Sequence, residues 1–179
     1  MLTQRRYRLA QRRYRLAQRR SVGAIIPRMP LKIRTVVTQS DMDDALSVRR
    51  AVFIEEQQVS EDEEIDEHDR DGGWLGDVVQ MTGYLDGKPV VTGRMMADTT
   101  SDADAHIGRV AVIEELRGKG YGKQLMIALH EEARKRGYRS LMLGAQLHAI
   151  PFYESLGYVA RGDIFLDAEM EHRWMDISL

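Results

Sequence analysis

The sequence predicts a mixed α/β (α+β) domain, and three observations carry that prediction. Runs rich in β-branched residues, 31–37 and 107–113 among them, alternate with runs whose apolar residues recur at helical spacing, such as Leu116, Leu125, Met126 and Leu129. Asp86-Gly87 stands between two strand-like runs and supplies the positive φ that a two-residue hairpin turn wants. Gly118, Gly120 and Gly122 separate an apolar strand from an amphipathic helix. The predicted element order is β-α-β-β-β-α-β-α-β-β.

The chain has 179 residues, 43% of them hydrophobic, enough for one well-buried domain and small for two. It contains no cysteine. That excludes disulfides, thiolate zinc sites and a cysteine nucleophile, and fits a reducing compartment, so a cytoplasmic location is expected. No apolar run approaches the ~20 residues of a membrane span. Residues 1–28 lack the apolar centre of a secretory signal.

The amino end is a literal repeat: Gln4-Arg5-Arg6-Tyr7-Arg8-Leu9-Ala10 recurs as Gln11-Arg12-Arg13-Tyr14-Arg15-Leu16-Ala17. Three readings stay open: a basic amphipathic helix on a membrane or acidic partner, a transit peptide, or an extension outside the fold with the domain beginning at Met29. Self-repulsion among the arginines favours the last. Residues 1–28 hold nine arginines and no acid, which leaves 17 basic against 28 acidic residues from 29 on, a net charge of −11. So acidic a body argues against nucleic acid as its main partner.

From residue 29 the elements follow in order. Residues 31–37 alternate as a first strand, and Ser40 or Asp41 can cap a helix through Met42, Leu46, Val48, Val52 and Phe53 that ends near Glu55-Glu56-Gln57. The acidic run of residues 61–71, closed by Gly72-Gly73, is expected to be a solvated loop. Residues 78–85 and 88–96 form the hairpin, and 97–105 a polar loop into the next strand. The helix after the glycines stops before Gly137. A short strand over 140–143, a short helix over 149–156 ended by Gly157, and two last strands over 158–166 and 170–178 complete the pattern.

Residues 107–126 carry the chemistry. Glycines without Cβ atoms at a helix start let successive N–H groups point at one anion, and Arg117, Lys119 and Lys123 add positive charge. A Walker A loop fails on spacing, because Gly118 to Gly122 leaves three residues and Gln124 follows Lys123. A dinucleotide GxGxxG fails too, since its last position would fall on Lys123 or Leu125. The alternative to a phosphate cradle is a turn that uses glycine only for close packing. Arg117-x-x-Gly120-x-Gly122 after a strand resembles the Q/R-x-x-G-x-G/A signature of the GNAT superfamily of acyl-CoA-dependent N-acyltransferases.

Three further segments narrow the resemblance to the ElaA/YjcF-like branch and extend it over roughly residues 29–179. Val48-Arg49-Arg50-Ala51-Val52-Phe53-Ile54-Glu55-Glu56-Gln57, followed by Glu64, Asp66 and Asp69, resembles its VRxxVFxxEQ…E-D…D segment. Leu143-Gly144-Ala145-Gln146 with Phe152-Tyr153-Glu154-Ser155-Leu156-Gly157-Tyr158 resembles its AQ…FYxxxGF segment. Residues 167–175 resemble its D/E-x-G-I-x-H-x-x-M strand, with Met170 and Glu171 departing from the pattern and His172 and Met175 in place.

The resemblance implies a GNAT fold, a mixed, mostly antiparallel sheet of six or seven strands flanked by about four helices. It implies acetyl-CoA as co-substrate and acetyl transfer to a primary amine by direct attack in a ternary complex. Val110, Ala111 and Val112 are then the backbone partners of the pantetheine arm, and Gly118, Gly120 and Gly122, with Arg117, Lys119, Tyr121 and Lys123, the diphosphate site. Gln146 is either a pantetheine amide partner or a helix cap. Tyr153 is either the acid for the leaving thiolate, as a phenol of ordinary pKa about 10, or core packing beside Phe152, itself placed at the coenzyme. Glu56, His172 and His148 are the candidate bases, and an amine that deprotonates unaided needs none. No metal site is expected. The acidic run is a candidate wall for a cationic acceptor, a homodimer is left open, and the alternatives are a non-catalytic acyl-CoA-binding module or nucleic-acid binding through residues 1–28.

Overall fold

The computed structural model describes residues 31–179, so the arginine-rich repeat and the boundary at Met29 lie outside the described residues. β1 (Lys32–Thr35) leads into α1 (Gln39–Arg49), which continues without a break as a π-helical turn over Arg50–Glu56. The α1 cap is neither Ser40 nor Asp41. Thr38 holds that position: its Oγ1 accepts from the Asp41 N–H at 3.2 Å, and Asp41 Oδ2 accepts from the Thr38 N–H at 3.0 Å, a closed capping box.

β2 (Val78–Leu85) and β3 (Lys88–Ala97) form the expected hairpin, with Asp86 at φ 51° and Gly87 at φ 79°. β4 (Ala105–Val112), α3 (Tyr121–Lys135), β5 (Ser140–Gln146), α4 (Ile150–Glu154), β6 (Val159–Asp167) and β7 (Met170–Ser178) follow. The sheet order is β1-β2-β3-β4-β5-β7-β6, antiparallel at every junction except the parallel β4–β5 pair. One face packs against α3 and α4, where Ile107, Leu125, Met126, Leu129, Leu141, Leu143 and Met175 are buried to 1% exposure or less. The other face takes α1 through Val36, Met42, Ala45 and Trp74, and through Val48, Val52 and Ala111.

The acidic run is solvated only in part: Glu61, Asp62, Glu63, Glu67 and Asp71 are exposed as its charge predicts, but Glu64 and Asp69 turn inward. It forms two short turns, α2 (Glu61–Glu64), capped by Ser60, and a 3-10 turn (Glu67–Asp69), capped by Asp66. Glu64 and Asp69 are 4% and 3% exposed, and Arg49, at 0%, lies between them. Arg49 Nε donates to Glu64 Oε1 at 2.5 Å, while Nη1 and Nη2 donate to the two Asp69 oxygens at 2.6 and 2.8 Å. Arg94 takes Asp66 with both terminal nitrogens, and Arg109 stands 3.2 Å from Glu64 Oε2. Three guanidiniums thus meet three carboxylates inside the protein, which is the condition under which buried charge is tolerated. Burial pushes the Glu64 carboxyl up against the pull of Arg49 and Arg109, and the ionised form is the one this geometry holds.

Asp66 gives the network a pH signature. Burial opposes its ionisation, but the hydrogen bonds and charge of Arg94, with Arg109 behind, outweigh burial and hold the carboxyl at about 2. A folded-state value below the unfolded one stabilises fully above the unfolded pKa and loses that contribution as pH falls through the folded value. Asp66→Asn is therefore expected to flatten the fall in melting temperature between about pH 4 and about pH 2, read by thermal denaturation across that range.

Candidate active site

β4 and β5 pair only at their beginnings, Ala105↔Leu141 and His106↔Met142, and part beyond them. The parting begins where the β3–β4 register shifts between Thr92 and Arg94, and Arg109, with φ 54°, is the extra residue of the bulge. Arg109 is held there by the charge network and by bonds from its guanidinium to the carbonyls of Glu63 and Glu64, at 3.1 and 3.3 Å. Past the bulge, the Ile113 N–H donates to the Val90 carbonyl at 3.1 Å, so strand alternation turns the backbone of Ala111 toward β3 and that of Val110 and Val112 toward the gap. Of the three residues expected to pair with a pantetheine arm, Ala111 is thus occupied within the sheet.

At the mouth of the gap the chain makes the expected glycine turn. Gly118 and Gly120 have φ of 74° and 77°, and Gly120 caps α3 in the left-handed region. The space where Gly118 would carry a Cβ is empty to 4 Å, and it faces solvent. The first-turn N–H groups of Tyr121, Gly122 and Lys123 have no acceptor within the helix, which leaves an anion-binding helix start. Tyr121 and Gly122 are buried, whereas Lys119 and Lys123 are exposed on the rim. A Cβ on Gly122 would stand 3.4 Å from both Phe152 and Val112, so this glycine serves close packing. Phe152 therefore seals the helix start from below. Gly120→Ala is expected to cost about 1–2 kcal/mol of stability, because a left-handed residue gains a Cβ there, and urea denaturation measures it.

Arg117 does not add a free charge to the cradle. Its Nη1 donates to Glu56 Oε1 at 2.7 Å and Nη2 to Glu56 Oε2, while Nε donates to the Val112 carbonyl at 2.9 Å. The guanidinium ties the end of the π-helical turn to the open edge of β4. Glu56 is correspondingly ill placed as a general base, since both its oxygens are held in a two-pronged ion pair. The next residue, Gln57, accepts from Gln146 Nε2 at 3.0 Å, so Gln146 bridges the end of β5 to the same turn rather than capping a helix. A π-helical turn often marks a functional site. Here it carries Glu56 and Gln57 to the mouth of the gap.

Tyr153 lies on the α3 side of the sheet, 8% exposed, with its ring 4.9 Å from Phe152 and 5.8 Å from Tyr158. Tyr158 is fixed in turn by His130 Nε2 at 2.9 Å from its hydroxyl. Burial pushes the Tyr153 phenol well above its ordinary value. The premise that it gives up its proton at an ordinary phenolic pKa is therefore corrected.

His172 lies on the opposite face, paired across β5–β7 with Gln146 and 7% exposed. Its Nδ1 faces the Met170 carbonyl at 2.9 Å, which requires a donor, so a neutral ring carries its lone pair on Nε2. His148 is half-buried rather than on the surface. Burial holds its imidazole below the ordinary value; Arg117 pushes the same way, Glu56 opposes, and His172 adds to the lowering. The three sequence-predicted base candidates, far apart in the chain, thus share one electrostatic neighbourhood. Gln57 and the Arg117–Glu56 tie are the parts that sequence reasoning missed. Among the described residues no three His, Asp or Glu side chains gather as a metal site, and no helix is long and apolar enough to cross a membrane.

Comparison with known proteins agrees with this geometry. The model of the Acetyltransferase (GNAT) family matches residues 42–158. The uncharacterised N-acetyltransferase YjcF of Bacillus subtilis is 36% identical over 138 residues, covering 76% of this chain and 92% of YjcF. An acyl-CoA N-acyltransferase from Pseudomonas aeruginosa superposes with a TM-score of 0.70 at 25% identity, over 82% of this chain and 99% of that one. Escherichia coli ElaA does so with a TM-score of 0.67 at 27% identity, over 82% and 99%. With the parted β4–β5 pair and the glycine turn at its mouth, these likenesses establish that the chain belongs to the GNAT acetyltransferase family.

Proposed function

We propose that the protein is an N-acetyltransferase that moves the acetyl group of acetyl-CoA to a primary amine by direct attack in a ternary complex. The observation that carries this reading is the open edge of β4 beyond Arg109, which leads to the glycine-capped start of α3. The Val110 backbone and the Val112 N–H are left for an added strand-like arm, since Arg117 already holds the Val112 carbonyl, and the amides of residues 120–123 are placed for the diphosphate. When bound, acetyl-CoA supplies the activated acyl carbon and a thiolate leaving group.

The chain's own residues divide the work across the sheet. A β4 N–H in the gap polarises the thioester carbonyl. The amine approaches from the face of His172, whose Nε2 lone pair takes a proton as the C–N bond forms and the C–S bond breaks. Tyr153, on the other face, donates a hydrogen bond to the departing sulfur. Full proton transfer from a phenol held this high to a thiolate of pKa near 8.5 is uphill, so Tyr153 acts as a donor while the sulfur draws its proton finally from solvent. Arg117, fixed by Glu56, positions the Val112 edge. The cysteine-free composition fits action in the cytoplasm.

The test is thermal-shift titration with acetyl-CoA, followed by free-thiol release across a panel of amines. Ligand at about a hundred times its dissociation constant stabilises by about 2.7 kcal/mol. Absence of a shift at millimolar acetyl-CoA overturns the reading. A shift without thiol release from any amine replaces it with a non-catalytic acyl-CoA-binding module.

A further inference from the structure

On the face of His172, four rings form a continuous row. His172 stacks on Phe165 at 5.7 Å and 28°, Phe165 on Trp174 at 4.5 Å and 20°, and Trp174 meets His106 edge-on at 5.9 Å. The row starts beside Gln146, at the mouth of the gap, and crosses β7 and β5 to β4. Two features of the chain exist to lay it flat. Gly144 lacks the Cβ that would stand 3.2 Å from Phe165 and 3.5 Å from Trp174. β6 carries two extra residues between Arg161, opposite Trp174, and Phe165, opposite His172, and Gly162 turns there with φ 65°. Arg173 Nε fastens the bulge to the Gly162 carbonyl at 3.1 Å. Phe165, Trp174 and His106 are half-buried, so each ring keeps part of its surface open to solvent.

The charge beside the row has one sign left over. Asp98 and Asp167 both act on His106, against the burial that holds its imidazole down and against Arg94 and Arg109. Those two arginines are already matched by Glu64, Asp66 and Asp69. Asp167 has no ion pair among the described residues, and Asp98 is bonded only to the Thr100 and Ser101 N–H and hydroxyl groups of its own loop. Glu64, Asp66 and Asp69, by contrast, are consumed internally by Arg49, Arg94 and Arg109.

Resting on the transferase reading above, we propose that the ring row from His172 to His106, flanked by Asp167 and Asp98, is the acceptor trough and selects amines bearing a second cationic group. The acylated nitrogen sits at His172, and the second cation lies against the Phe165 and Trp174 faces with the two carboxylates beside it. The acidic body, net −11 from residue 29 on, favours approach of the same cations.

Trp74 and Trp174 are the only tryptophans, so the full chain carrying Trp74→Phe reports on Trp174 alone. Its fluorescence is titrated with hexamethylenediamine and with hexylamine, which differ in the distal charge, with and without coenzyme A. The diamine is expected to bind about tenfold more tightly, and Asp167→Asn, an exposed change, to bring the two amines close together. Phe165→Leu should weaken the diamine selectively, and the same ratio should appear in KM for thiol release. Equal affinities, no quench by either amine, or a diamine preference that survives both Asp167→Asn and Phe165→Leu overturns the proposal. Because amine binding is read without turnover, a failure here is distinct from a failure to bind acetyl-CoA, which falls on the transferase reading.

Discussion

Arg49→Ala is expected to lower the unfolding free energy by about 3–5 kcal/mol, the largest stability loss of any single change considered. The side chain is wholly buried, and its removal leaves Glu64 and Asp69, themselves 4% and 3% exposed, without the guanidinium that takes an oxygen of one and both oxygens of the other. Arg109 still reaches Glu64 at 3.2 Å and Arg94 still reaches Asp69 at 3.4 Å, both longer than the contacts Arg49 makes, so compensation is partial. Urea denaturation at neutral pH measures the loss. The cause is separable from simple cavity formation: adding Glu64→Leu and Asp69→Leu to an Arg49→Met background removes all three charges together, and the triple variant is expected to recover most of the stability. If it stays as unstable as Arg49→Ala, packing rather than uncompensated charge is responsible.

The same network ties stability to the coenzyme gap. Arg109 is at once the bulged residue of β4 and a partner of Glu64, and the bulge is where β4 leaves β5. A destabilised network therefore loosens the strand edge that the thioester is proposed to use. Loss of acetyl-CoA affinity in Arg109→Ala, at a smaller stability cost than Arg49→Ala, would separate this local effect from global unfolding.

What was legible in the sequence was what short-range rules determine. Asp86-Gly87 gave the hairpin to within a residue at each end, because a two-residue turn fixes its own register. Gly118, Gly120 and Gly122 marked a strand-to-helix junction, and α3 begins there at Tyr121. The inward turn of Glu64, Asp66 and Asp69 was not legible because their partners, Arg49, Arg94 and Arg109, lie 15 to 45 residues away, and charge counted along the chain says nothing of charge met across it. The Arg117–Glu56 tie spans 61 residues and escaped for the same reason, so a guanidinium assigned to phosphate turned out to hold a carboxylate. The π-helical turn was not legible at all. Its apolar spacing through Val52 and Phe53 resembles that of the α-helix it continues, and only the position of Glu56 and Gln57 at the gap reveals it.

Tyr153→Phe is expected to lower the turnover number for acetyl transfer by about 10²–10⁴-fold while leaving acetyl-CoA binding nearly unchanged. The hydroxyl is the one polar atom of a side chain packed between Phe152 and Tyr158, and its loss keeps the ring and both ring contacts. Stability should therefore move little, and the thermal shift with acetyl-CoA should persist. Burial keeps the phenol protonated throughout the neutral range, so a rate limited by Tyr153 shows no alkaline fall from its ionisation below about pH 10. His172→Gln is expected to lower the turnover number as well, because Nε2 is the lone pair placed to take the amine's proton. A Tyr153→Phe variant that releases thiol at the wild-type rate would return Tyr153 to a packing role and leave the sulfur to be protonated by water alone.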